Sequence, residues 1–485
     1  MIKSQSVHTV ESTAIPQPDN GHAIDPLLVD SPISSEAIPN LAIRTNLKIG
    51  SFHIGSAMAD ILGSGVWNRI MIADLNFAAT PVSLLLSLNY FLSPIAIWTG
   101  QRSDHTNWRG YRRLPWVWAG RALMAIGFIV LALTTVELAE TRNNIWWGGI
   151  ALALTSVGLG AAISGSTYTT LIYDRAPAHQ RGRALGVAWT MLLLGFALAG
   201  GLFAQLLPEY STSGVLVLFT TAVAIMVALW VFSIFGEEHR LSAEAIEQQA
   251  SSAAVRPNFL DDLREVWSKP STRLFFLYIG FSFMGAFAQD QILEPFGGQV
   301  FDLTTGETSR FAAFWGTTAL LGSILGLVGY RRLQNFSYTR INTIGIWTLV
   351  VTFIMLAVAA YGTVDALIRP TLLLFGLGLG MWNIGTWGLM VSVSSAEKAG
   401  TYFGLWTMAS LIFRGGGSVL GAAFRDISLA ITDQLTFAYG TVFLAEAVVM
   451  LIALFIISRL QFSHKPDATT QTEQQQLLLT IAADG

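Results

Sequence analysis

The residues able to do chemistry are polar side chains set inside long apolar runs. Ser56, Asp60, Ser64 and Asn68 follow one another at i+4 steps, the spacing that lines one face of a helix, and Arg69 comes directly after them. A second cluster is Gln289, Asp290 and Glu294, with Pro295, Gly297 and Gly298 immediately behind, a composition that predicts a helix break there. Arg414 precedes the run Gly415, Gly416, Gly417. Insertion scales put the cost of a charge at bilayer depth at about 2.5 kcal/mol or more, so each charge is a candidate functional group by default. The carboxyls and amides can hold a proton or a polar ligand. His53 can ligate a metal or pigment, or simply sit at the interface near a helix start. Opposite charges offset one another's burial. Arg69 and Asp290 both lie about 25 Å into their runs at 1.5 Å per residue, so a pair between them is expected, or one between Arg414 and Asp290 or Glu294. Structural pairing alone satisfies the same pattern.

The elements that must position these groups are membrane helices. Of 485 residues, 52% are hydrophobic and only 12% charged, about half the charge of an ordinary soluble protein. The net charge of -3 provides no global basic field for nucleic acid. With no cysteine, disulfides, thiolate metal sites and cysteine nucleophiles are excluded together. The polar stretches 1–50 and 461–485 flank an apolar body, and the first twenty residues lack the apolar core of a cleaved signal peptide. Pro16, Pro18, Pro26, Pro32 and Pro39 mark the head as a flexible tail. At about 20 residues per span, the body holds twelve helices, the first near 53–75 and the seventh near 273–301. Both of these are polar enough for an eleven-helix or re-entrant alternative. Trp116, Trp118, Trp146 and Trp147 fit an interfacial belt.

Of 28 Lys and Arg residues, 21 fall in the two tails and the loops on their side. Arg142, Arg310, Arg369 and Arg425 fall on the other side, and Arg69, Arg121 and Arg414 lie within or at the edge of spans. The positive-inside rule then places both termini in the cytoplasm. Gly110–Leu114 (GYRRL) recurs at Gly329–Leu333, and Trp189–Met191 recurs as Trp406–Met408. Two matches at nearly one offset suggest duplicated six-helix halves. The expected plan is a cytoplasmic tail 1–50, a first half 51–235, a cytoplasmic loop 236–272, a second half 273–460 and a cytoplasmic tail 461–485.

After the second span comes GQRSDHTNWRGYRR, with Gly100, Asp104, Gly110, Arg112 and Arg113. It resembles the short cytoplasmic signature of the major facilitator superfamily, with a longer insert between the acid and the second glycine. A glycine there permits a tight turn, while the acid and arginines can bridge helix ends and bias a gate. The corresponding later loop keeps Arg331 and Arg332 without the acid. The fold class expected is therefore an all-α, major-facilitator-like membrane protein.

Three strings carry a narrower resemblance: GVWNRIMIADL at 65–75, AQDQILEPFGGQVF at 288–301 and FRGGGSVLGAAFRD at 413–426. Together they resemble the PucC and LhaA family over about residues 45–460, a branch associated with assembling light-harvesting complexes and delivering chlorophyll or bacteriochlorophyll. The resemblance directs attention to Asn68, Arg69, Asp290, Glu294, Gly297, Gly298 and Arg414. It implies a tetrapyrrole as cargo rather than a tightly bound cofactor, light-harvesting or photosystem apoproteins as partners, and the plasma or thylakoid membrane of a photosynthetic organism. Magnesium accepts oxygen or imidazole ligands, so Asp290, Glu294, Gln289 or His53 would hold it, directly or through water. Phe281, Phe283, Phe287 and Phe296 would help wall the macrocycle. The other function class is a proton-coupled secondary transporter of a small organic solute, using Asp60 or the acids of span seven. No triad, phosphate loop or HExxH motif is present, and an enzyme is not expected.

Overall fold

The computed structural model describes residues 41–104, 108–177, 180–238, 240, 259–333, 336–394 and 399–460. The proline-bearing head 1–40, most of the loop 236–272, and the tail from 461 lie outside the described residues. Apart from one bridge between Trp108 and Tyr111, the described residues form helices, turns and loops. They are α1 (Ile43–Asp60), α2 (Ala79–Phe91), α3 (Ser93–Asp104), α4 (Leu114–Thr141), α5 (Trp146–Arg175), α6 (Arg181–Leu206), α7 (Thr212–Ile234) and α8 (Phe259–Ser268). There follow α9 (Pro270–Phe287), α10 (Leu293–Phe301), α11 (Thr305–Ser309), α12 (Phe311–Arg332), α13 (Tyr338–Gly362), α14 (Ile368–Val393), α15 (Ala399–Thr432) and α16 (Leu435–Ser458).

Among the described residues, ten helical stretches are long and apolar enough to cross a membrane, and the protein is an integral membrane protein. Helix α1 with its continuation, and α15, fall outside this set. The first carries Arg44, Lys48 and Asp60, and the second Arg414, Arg425, Asp426 and a glycine run. Outward faces present large apolar side chains such as Ile126, Leu152, Ile354 and Phe455, as lipid demands, because backbone polarity is satisfied within each helix.

Helix ends follow local chemistry. Pro270 opens α9 at its first position, where the missing N–H has no intrahelical partner to lose. Ser211 and Ser337 accept from backbone N–H groups three residues on, at 3.1 and 3.3 Å, as N-caps do. Thr304 and Glu307 form a reciprocal capping box. Helices α4 and α5 cross so tightly that a Cβ on Gly120 would meet the Gly160 carbonyl at 2.6 Å.

Helices up to α7 pack chiefly among themselves, as do those from α9 onward. The groups meet along two seams, α2 against α15 and α6 against α11 and α12. Two boundaries differ from the sequence reading. Helix α1 begins at Ile43, not near residue 53, because Asn46, Ile49 and Gly50 are already buried, with Gly50 beside Val187 and Met191 of α6. It also continues through π-helical turns at Ile61–Trp67 and Ile70–Asp74, so strict i+4 spacing fails beyond Asp60. The segment 236–272 contains α8 and the start of α9, and 241–258 lie outside the described residues.

Candidate functional site

The centre of the site is a break in the helix that carries the second polar cluster. Helix α9 stops at Phe287, a 3-10 turn spans Ala288–Gln291, and α10 starts at Leu293. The break thus precedes Pro295 instead of following it. Pro295 sits in the first turn of α10, where its missing donor costs nothing, and Gly297 and Gly298 are helical. Turning the chain at Ala288–Gln291 aims Asp290 at α15. Arg414 Nε and Nη2 donate to Asp290 Oδ2 at 3.1 and 2.9 Å. The guanidinium also lies 4.1 Å from the ring centroid of Phe287 and 5.0 Å from that of Tyr90 on α2. Ser418, one turn further along α15, donates to the Phe287 carbonyl at 3.0 Å and fixes the end of α9.

This ion pair opens on a cavity of about 510 Å³ that both helix groups line. Ser56, Asp60 and Ser64 contribute from the α1 continuation, and Gln289, Asp290, Glu294 and Arg414 from the opposite group. Neither Asp60 nor Glu294 has an ion-pair partner among the described residues, although Glu294 is only 7% exposed. The Oε1 atoms of Gln289 and Gln291 are buried without a hydrogen-bond donor. His53 is eleven residues into α1, not at a helix start, and it lines the cavity with its Nδ1 buried and unpartnered. Phe283 and Phe287 help form the wall. Phe281 and Phe296 do not: Phe296 packs into a ring cluster with Phe301, Tyr439 and Phe443. Among the described residues no three His, Asp or Glu side chains converge as a metal cluster.

Asn68 and Arg69 leave this cavity, because the π-helical turn rotates them away from Asp60. Asn68 is fully buried and donates to the Gln291 carbonyl at 2.7 Å. Arg69 does not pair with Asp290. It pairs with Asp74 and donates to the Leu303 carbonyl at 2.6 Å and Thr305 Oγ1 at 2.9 Å. These bonds close one end of the space between the helix groups. Asp426 adds to the closure, accepting from the backbone N–H groups of Ala79 and Thr80 at 3.1 and 2.7 Å and from Thr80 Oγ1 at 2.7 Å. Gln299 donates to the Ile72 carbonyl at 2.8 Å and bonds Arg425. Sequence reasoning missed Asp426 and Gln299. The signal available was the acid directly after Arg425, itself one of the four basic residues on the far side.

In the loop after α3, Gly110 (φ +87°) makes the tight turn together with Arg109 (φ 57°), whereas Gly100 is inside α3. The Asp104 side chain and residues 105–107 lie outside what is described. Arg112 and Arg113 donate to Asp174 at the end of α5, at 3.1 and 3.2 Å. Glu238 accepts from the backbone N–H groups of Arg112, Arg113 and Leu114 at 2.7–2.9 Å. Among the described residues, the acids that meet this segment are therefore distant in sequence, Asp174 at the end of α5 and Glu238 after α7.

The family described as PUCC protein matches residues 66–465. Protein PucC of Rhodovulum sulfidophilum is 28% identical over 412 residues, covering 81% of this chain and 88% of that protein. The bacteriochlorophyll synthase 44.5 kDa chain of Rhodobacter capsulatus is 26% identical over 406 residues, covering 81% and 90%. Among solved structures, the nucleoside transporter NupG superposes with a TM-score of 0.63 at 16% identity, covering 85% of this chain and 98% of that one. That similarity establishes the major-facilitator-like fold.

Proposed function

The chain belongs to the PUCC protein family, and from that premise we propose that it is a non-enzymatic membrane factor in photosynthetic complex assembly, handling a chlorophyll-type pigment for light-harvesting or photosystem apoproteins. The observation that carries this reading is the cavity itself. It joins aromatic walls to polar groups, namely Gln289 Oε1 and His53 Nδ1, both buried without a partner, and the carboxyls of Asp60 and Glu294, which form no ion pair among the described residues. A tetrapyrrole needs both: apolar surroundings for its ring, and one polar ligand for its magnesium. The bacteriochlorophyll in a relative's name points the same way. The working membrane is the plasma or thylakoid membrane, with both termini cytoplasmic, and reporter fusions at either end would report the opposite side if the charge-based orientation is wrong.

The test is purification from a photosynthetic host in mild detergent, with a visible spectrum and identification of copurifying proteins. Pigment absorption and antenna apoproteins are expected. Absence of both, with normal antenna assembly in a deletion strain, would sink the proposal. A second reading, proton-coupled transport of a small organic solute, is favoured by the carboxyls Asp60, Asp290 and Glu294 in a cavity between two helix groups. Uptake into vesicles that depends on a proton gradient and is lost in Asp290→Asn would put it ahead.

A further inference from the structure

A second cation lines the cavity, and no carboxylate pairs with it among the described residues. Arg121 of α4 is 5% exposed. Its guanidinium is held between the rings of Phe52 and Trp230, 4.0 and 4.8 Å from their centroids. It takes part in no ion pair among the described residues. Among the described residues its Nη1 donates to Met124 Sδ at 3.3 Å, a weak acceptor, and its Nε is buried without a partner. Aromatic faces stabilise a guanidinium from above and below, but its N–H groups lie in the plane and point to the side, where a carboxylate binds in a fork. His53, also with an orphaned nitrogen, lines the same cavity. Arg414 is not free in this way, because it is committed to Asp290.

We propose that Arg121, with His53, forms the anion-binding pole of the cavity, and that the ligand is an amphiphile carrying a free carboxylate on a flat apolar body. Resting on the pigment-handling reading, this makes the cargo a tetrapyrrole acid, not the fully esterified pigment. The cavity is polarised accordingly. Asp60 and Glu294, which form no ion pair among the described residues, repel a carboxylate and suit the magnesium of the ring. Trp189, Phe196, Phe283 and Trp315 supply apolar wall. Orientation then comes from charge, since burying the acid against the carboxyl pole is unfavourable.

Fluorescence titration of the detergent-purified protein with chlorophyllide and with its methyl ester tests this. The acid is expected to bind tighter by about ten- to a hundred-fold, the span of one or two charge-assisted hydrogen bonds. Arg121→Gln should abolish the preference, and Arg121→Lys should keep part of it. If the glutamine variant does not fold, the acid-to-ester ratio of the unaltered protein and the lysine variant decide. Equal binding of acid and ester, or a preference for the ester, overturns the anion pole and leaves pigment handling standing. Binding of neither overturns both.

Discussion

Arg414 and Asp290 meet through two hydrogen bonds to a single carboxylate oxygen, across the break between α9 and α10. One oxygen takes both bonds, so the other is left to Gln289 and the cavity, where Gln289 Nε2 lies 3.5 Å from Asp290 Oδ1. The pair therefore does two things: it ties α15 to the irregular turn, and it holds a polar atom at the cavity wall.

Breaking that pair from the cationic side should be the more damaging change. Arg414→Leu leaves Asp290 as an uncompensated carboxylate and is expected to lower stability by about 3 kcal/mol. Asp290→Asn keeps a polar acceptor and should be milder, because a neutral amide is cheaper to bury. Thermal unfolding in detergent of both single variants and the Arg414→Leu, Asp290→Leu double variant measures the coupling. A double variant no more stable than Arg414→Leu alone would show that the unpaired carboxylate is not the cause.

Closure at one end depends on Asp426 joining α15 to the first turn of α2. Asp426 meets two orphan backbone donors at a helix N-terminus, where a negative charge is also favoured by the helix dipole. Asp426→Ala removes its three hydrogen bonds to α2 together with the one from Arg425, and should shift the two helix groups toward an arrangement open at this end. The chain has no native cysteine, so a single cysteine placed at the part-buried Leu303 reports on the change. Its labelling by a water-soluble maleimide should rise at least several-fold in Asp426→Ala, and unchanged labelling would count against the seal.

How far these features were legible in the sequence depended on whether they were local. Apolar runs disclosed the helices, because lipid leaves a spanning backbone no other way to satisfy itself. The charges inside those runs disclosed Asp290 and Arg414 for the same reason. Partner choice was not legible. Arg69 and Asp290 lie at similar depth, yet the π-helical turns after Asp60 rotate Arg69 toward Asp74 and Leu303, and no composition rule forecasts a π turn. The basic pair after α3 finds its acids at Asp174 and Glu238, which are neighbours only in the folded chain. Pro295 misled for a positional reason: its meaning depends on whether a helix ends or begins there.

Glu446 of α16 is an outlier of another kind. It is 2% exposed, and both carboxyl oxygens are buried without a donor. A group in that state does not contribute to stability in its own right. Replacing it by an apolar residue of similar size, Glu446→Met, is expected to leave the melting temperature unchanged or to raise it. A fall equivalent to more than about 2 kcal/mol would mean that Glu446 has a partner in the working protein, such as bound ligand or water.

Gly421 governs the site without carrying a charge. Gly421 of α15 passes so close to the 3-10 turn that a Cβ there would stand 2.5 Å from the Ala288 carbonyl oxygen and 3.2 Å from the Ala288 Cβ. The first of these is a backbone atom and cannot swing aside, so Gly421→Ala must move α15 away from the turn. The same helix carries Arg414 two turns earlier, and Asp290 sits two residues beyond Ala288, so the shift lengthens the ion pair. Overpacking of this kind costs about 1–3 kcal/mol. Gly421→Ala should therefore reproduce the stability loss of Arg414→Leu in part, and the two changes together should cost less than the sum of each alone, because both act on one contact. Simple additivity in thermal unfolding would show that Gly421 and the Arg414–Asp290 pair are independent.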